Sequence, residues 1–237
     1  VREVEGVAGA ALKAAGSPST RKVILIREGS YDGRLEITGD NISLIGEDAE
    51  NTIIHWNSGT LAGGNMGERA AGNITGAAFS AENLTFKNDW EYQGTKTAGK
   101  GGNESSDAVS NESDKSMFVN VRFLGYQDTL CINKNNQYYY KCYIAGNIDF
   151  IYGNTGQALI KDSDIVFRYN ANKNSGYITA MKHEAAQTYG IVISDSRITA
   201  EAECSGTKYY LGRPWPNGSI SYPNVVYINT YMRDYRL

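Results

Sequence analysis

Two short motifs each carry an aspartate: G-Y-Q-D-T-L around Asp128 and G-N-I-D-F around Asp149, 21 residues apart. Two carboxyls held close together cannot both ionise cheaply, so one keeps a proton while the other keeps its charge. That is the division of labour of an acid/base pair. A further motif, L-G-R-P-W at residues 211–215, sets Arg213 between Gly212 and Pro214, where it could serve as counterion to the ionised carboxylate. Other chemistries lack their residues. There is no G-x-S-x-G elbow, no H-E-x-x-H and no phosphate loop, and His55 and His183 lie outside any catalytic spacing. His55, in T-I-I-H-W-N, reads as a strand residue. Cys131, Cys142 and Cys204 are an odd set without C-x-x-C, so buried thiols are expected rather than a zinc site or a disulfide framework.

The 21-residue spacing acquires meaning from the elements that must hold the two aspartates. Six-residue units recur along the chain: Gly39-DNIS-Leu44, Ala81-ENLT-Phe86, Phe118-VNVR-Phe123, Tyr139-YKCY-Ile144, Ile160-KDSD-Ile165, Ile193-SDSR-Ile198 and Tyr227-INTY-Met232. Asn or Asp usually holds the third position, a small or apolar residue the fourth, and an apolar residue closes the unit. The closing residues fall 42, 37, 21, 21, 33 and 34 positions apart, which suits turns of about 20 residues with inserted loops. A repeat of that length with short strands and no helix predicts an all-β fold, a parallel β-helix; leucine-rich repeats lack their L-x-x-L-x-L signature here.

Asp128 and Asp149 each lie five residues past a closing residue, Phe123 and Ile144, so they share a phase in consecutive turns. Equal phase in adjacent turns puts backbones ~4.8 Å apart with side chains on one face. Aspartates also cap amides in solenoid turns, and a turn ladder is the competing reading. The neighbouring aromatics, Tyr126 on one side and Phe150 to Tyr152 on the other, favour chemistry, since an uncompensated charge there is costly.

Composition sets the bounds. A chain of 237 residues with 41% hydrophobic content reads as one domain over residues 1–237, and 26 glycines and 17 tyrosines with four prolines suit short strands and tight turns. The net charge of -3 and pI near 5.5 give no footprint for nucleic acid, while an acidic polymer stays open as a partner. No apolar run approaches the roughly 18 to 20 residues needed to span a bilayer, and no leader begins the chain as given, so a soluble chain without a membrane partner is expected. Residues 4–15, with Val4, Val7, Ala8, Ala11 and Leu12 at helical spacing, are expected to form a short N-terminal capping helix. Residues 58–76 and 94–114 are expected to be loops that wall a groove.

The three motifs, in this order and at these separations, resemble the signature of the pectin methylesterases, carbohydrate esterases built on a right-handed parallel β-helix. The resemblance runs over residues 4–235, and "VILIREGSYDGRLEITGDNISLIGE" is similar to the family's first strands. It implies that Asp149 is the nucleophile attacking the methyl-ester carbonyl of galacturonate and that Asp128 is the general acid and then base. Gln127 would donate to the oxyanion, and Arg213 would orient Asp149 and keep it ionised. Tyr126, Phe150 and Trp215 would line a sugar-binding groove. No metal or organic cofactor is implied, the substrate would be methyl-esterified polygalacturonate outside the cell, and a monomer is expected.

Two departures accompany the resemblance. Where the family carries a second oxyanion glutamine in Q-A-V-A-L, this chain reads "SSDAVSNES", with Asp107 or Ser105 in the glutamine's place. Ionised, Asp107 would repel an oxyanion; protonated, it could donate to one, and either way an active enzyme altered at this position is expected, with Asp107 counted among the substrate-binding residues. The chain also lacks the family's outermost segments at both ends, and so is expected to be trimmed. Two other functions fit a carboxylate pair or groove on a β-helix: a glycosidase cutting polygalacturonate, and a catalytically weak polysaccharide-binding homologue.

Overall fold

The computed structural model describes residues 2–3, 12, 16–17, 19–59, 65–88, 90, 105–170, 175–216, 218 and 220–232. Its strands run from two to seven residues and pair in parallel. They stack into three sheets of nine, seven and eight strands, with neighbouring strands drawn from neighbouring turns, which is the expected right-handed parallel β-helix.

The six-residue units form one corner of this helix. Their first residues, Ala81, Phe118, Tyr139, Ile160, Ile193 and Tyr227, pair in register in the eight-stranded sheet. Their closing residues, Phe86, Phe123, Ile144, Ile165, Ile198 and Met232, do the same in the nine-stranded sheet. Both ladders point inward, and Phe118 stacks on Tyr139 at 4.8 Å between ring centroids. The preference for Asn or Asp at the third position has a backbone cause. Asn83, Asn120, Lys141, Asp162, Asp195 and Asn229 all have φ between 47° and 54°, a left-handed conformation that short polar side chains tolerate. Fourth-position residues turn inward, and Ser163 and Ser196 link the turns there: Cys142 N–H donates to Ser163 Oγ and Ser163 N–H to Ser196 Oγ, each at 3.1 Å.

Several expectations need correction. Gly39 to Leu44 is not a unit of this ladder: Leu44 pairs with Ala81, the first residue of the next unit, so Asn41 occupies a different corner, shared with Ala78 and Lys115. The pattern misled because both corners use a left-handed residue before an apolar strand. The expected loops overrun strands Gly72–Ile74 and Val109–Asn111 and a short helix Met66–Arg69, whose three- and four-residue lengths are too small to display a period. Apart from Leu12, which packs against the core, the N-terminal helix expected at residues 4–15 lies outside the described residues. All three cysteines are buried and form no disulfide.

Candidate active site

The chain passes from the nine-stranded into the seven-stranded sheet at a corner where Asp128 and Asp149 adopt φ of 61° and 52°. Strand Leu130–Ile132 pairs with Ile151–Gly153 on one side and Val109–Asn111 on the other, with Val109, Leu130 and Ile151 in register. Each of these residues follows an aspartate by two positions. Asp107, Asp128 and Asp149 therefore occupy the same corner of three consecutive turns, stacked by backbone bonds from Ala108 N–H to Thr129 O (2.8 Å) and from Leu130 N–H to Phe150 O (2.9 Å). Register places Asp107, and not Ser105, in phase with Asp128 and Asp149.

The glycine that opens each motif is required by close approach. A Cβ on Gly146 would lie 2.3 Å from the Phe150 Cβ and 2.6 Å from the Thr129 Oγ1, and one on Gly125 would lie 2.7 Å from that same hydroxyl. These contacts fold each motif tightly enough to turn its aspartate outward and the next residue inward.

Arg213, from strand Lys208–Pro214, grips Asp149 with two bonds: Nε donates to Oδ1 at 2.8 Å and Nη2 donates to Oδ2. Its guanidinium lies 4.5 Å over the Tyr177 ring, which stacks on Tyr210 at 5.0 Å. Burial pushes the Asp149 carboxyl above the usual carboxylate range, and the bonds and charge of Arg213 oppose that rise. Asp128 is raised well above its usual range, first by burial and then by the charge of Asp107, with Asp149 adding to it and a Ser105 hydrogen bond opposing. Gln127, beside it, is half-buried, and its backbone oxygen accepts from Ser106 N–H at 3.2 Å.

Asp107 is fully enclosed, which corrects its expected place among the substrate contacts. Its Oδ1 accepts the Tyr152 hydroxyl, and Arg69 Nε lies 3.5 Å from Oδ2. Burial pushes its carboxyl up to about 7, against those two partners. Phe150 is also corrected: it is fully buried and packs edge-on against Phe167 at 5.4 Å, because alternation past an outward Asp149 sends it into the core. Tyr126 is buried under Arg168, which lies 4.0 Å over its ring and donates to its hydroxyl at 2.9 Å. Trp215 is half-buried and meets Tyr152 edge-on at 5.8 Å, with Cys131 and Ala180 completing an apolar patch on the outer face of the sheet.

Sequence reasoning missed Arg69, Tyr177 and Tyr210, and named Tyr152 only as an aromatic neighbour of Asp149. Arg69 was findable: Asn65 and Glu68 form a capping box that starts its helix, a pattern visible as N-x-x-E. Tyr177 and Tyr210 belong to turns lengthened by insertions, where phase cannot be counted from spacing.

A pectinesterase family model matches residues 2–235. Pectinesterase A from Dickeya dadantii is 35% identical over 252 aligned positions, covering 94% of this chain and 68% of that protein. The structure of a pectin methylesterase from Erwinia chrysanthemi superposes with a TM-score of 0.86 at 31% identity, over 94% of this chain and 73% of that one. A pectin methylesterase crystallised in complex with a hexasaccharide gives a TM-score of 0.84 at 30% identity, over the same shares of 94% and 73%. A parallel β-helix of this register, matched along almost its whole length, identifies the chain as a member of the pectinesterase family and a carboxylic ester hydrolase.

Proposed function

We propose that this chain removes methyl esters from galacturonate units of pectin by a two-step acyl transfer, outside the cell and as a monomer. The observation that carries the reading is the two-bond grip of Arg213 on Asp149, one turn from an Asp128 that favours its proton. A bidentate guanidinium keeps one carboxylate charged and aimed, and it leaves the neighbour to act as the acid.

In the first step an Asp149 oxygen bonds to the ester carbonyl carbon, and the bond to methoxide breaks as Asp128 gives that oxygen its proton. Methanol departs, leaving an acyl-Asp149 and an ionised Asp128. In the second step Asp128 takes a proton from water, the hydroxide attacks the acyl carbon, and Asp149 leaves as a carboxylate. Gln127 donates to the oxyanion in both steps, an interaction worth about 3 kcal/mol when such a donor is removed elsewhere. Tyr177, Tyr210 and Trp215 offer ring faces to the polymer beside Arg213, and the complex of a relative with a hexasaccharide supports a polymeric sugar as substrate.

Methanol release from methyl-esterified pectin tests the reaction, and Asp149→Asn tests the nucleophile. Asn tolerates the left-handed φ of 52° at this corner, so the variant keeps the backbone and loses the charge. Loss of methanol release in a folded variant is expected; release at the parent's rate would remove Asp149 from the mechanism, and new reducing ends would point to a glycosidase.

A further inference from the structure

Of the three stacked aspartates, the two outer ones each face an arginine and the middle one has none bridging it among the described residues. Arg213 grips Asp149 at one end, and Arg69 faces Asp107 at the other, on a side chain only 11% exposed. Asp107 contacts no solvent; its Oδ1 accepts a hydrogen bond, and its Oδ2 has no hydrogen bond among the described residues but lies 3.5 Å from Arg69 Nε. Tyr152 donates to its carboxylate, Arg69 pairs with it, and the buried Asn88 Nδ2 donates to the backbone oxygens of both Arg69 (2.9 Å) and Asp107 (3.0 Å). A purely structural acceptor for Tyr152 would be cheaper as asparagine, which buries no charge.

We propose that Asp107 is a positioning residue for ester hydrolysis: its carboxylate, fixed one turn from Asp128 by Tyr152 and Arg69, holds the proton on Asp128 so that Asp128 meets the substrate as an acid. The inference rests on the reading of Asp128 as acid/base given above. The charged or titratable groups around the pair among the described residues are these. Asp149 and Arg213 form an ion pair across the column, Arg69 is a cation from the helix Met66–Arg69, and Cys131 and Tyr152, on the two adjoining strands, are both pushed well above their usual ranges by burial and stay neutral. The charge near Asp128 is also conserved through the reaction. When Asp149 becomes acylated it loses its charge as Asp128 gains one, and Asp107, ionised above about pH 7, then makes Asp128 a stronger base toward water.

The test is Asp107→Asn, which keeps an acceptor for Tyr152 and removes the charge. In pH profiles of kcat/KM for methanol release, the basic limb is expected to move to lower pH by about one unit, the scale of a like charge at one-turn distance, while the acid limb stays in place. A purely structural role would lower the rate at all pH values without moving the limb, and an unmoved limb in a folded variant overturns the proposal. A second readout does not depend on catalysis or on that variant: carboxyl carbon NMR of the free parent chain, with aspartates labelled and Asp128 assigned through Asp128→Asn. The Asp128 resonance is expected to show an inflection where Asp107 titrates, and independent titrations overturn the proposal. If the parent releases no methanol, the esterase reading fails, and the carboxyl titration still decides whether Asp107 holds the proton on Asp128.

Discussion

Replacing Arg213 by glutamine removes both bonds to Asp149 and the positive charge behind them. A hydrogen bond to a charged group contributes about 1.5–3 kcal/mol when enclosed, so two would give about 3–6 kcal/mol. The guanidinium side chain is 44% exposed, however, and water both screens the pair and replaces part of it, which brings the loss to about 2–3 kcal/mol. In kcat/KM this is about 30- to 150-fold. The pH dependence carries a sign as well as a size. Burial already raises the Asp149 carboxyl and Arg213 opposes it, so without the arginine more of the nucleophile is protonated and the acid limb moves to higher pH. Arg213→Lys keeps a charge but not the planar fork or its seat over Tyr177, and a loss of about 5- to 10-fold is expected. The assay is methanol release on methyl-esterified pectin from about pH 4 to about pH 9, with unfolding midpoints measured on the same samples. A folded glutamine variant whose rate and acid limb match the parent's would refute the assignment of Arg213 as the partner that keeps Asp149 ionised.

Asp107 gives a stability prediction of determined sign. Its carboxyl rises from 3.8 to about 7 on folding, so between those values the folded chain binds more protons than the unfolded one, and stability falls as pH rises through that window. Asp128 and Asp149 are also raised and act in the same direction; thermal unfolding of Asp107→Asn should therefore show a shallower fall in Tm from about pH 4 to about pH 7 than the parent. Phe150→Ala empties a fully buried site against Phe167 and should cost about 3–5 kcal/mol in denaturant unfolding, whereas a groove residue would cost far less. Lys141 holds the left-handed corner with φ of 53° where most neighbouring turns use Asn or Asp, so Lys141→Asn should raise stability by about 0.5 kcal/mol, and a loss would show that the contact of Lys141 with the Tyr140 ring outweighs backbone strain.

The fold was legible because its periodic signal is a backbone constraint. An Asn or Asp is favoured wherever a turn leaves the eight-stranded sheet through a left-handed residue, and the following inward side chains must be apolar or small to stack on themselves. Such a signal survives inserted loops, since each unit lies wholly between them. The first unit was misassigned for the same reason. The corner of Asn41, Ala78 and Lys115 also has left-handed residues, and Ile42 and Leu44 follow it at the apolar positions that mimic the other corner. The loops were overdrawn because Gly72–Ile74 and Val109–Asn111 are strands only by virtue of their neighbours; alone, G-N-I and V-S-N have no strand character.

The pairing of Asp128 with Asp149 was legible from a count of 21, and the same count applied once more reaches Asp107. What could not be read was the direction of its side chain and who meets it there. Spacing fixes phase, whereas burial depends on what covers the outer face, and the cover comes from Arg69 and Tyr152 in turns on either side. This changes the meaning of the missing glutamine. A fully enclosed Asp107 carboxyl does not reach a substrate oxyanion, and under the proposal above it acts through its neighbours. Among the described residues two arginines form ion pairs with the column, one at each end, and the cheapest place for a proton is the middle member, on which both act only at longer range. Asp128 is that member by geometry, and under the proposed mechanism it is the member that must carry the proton.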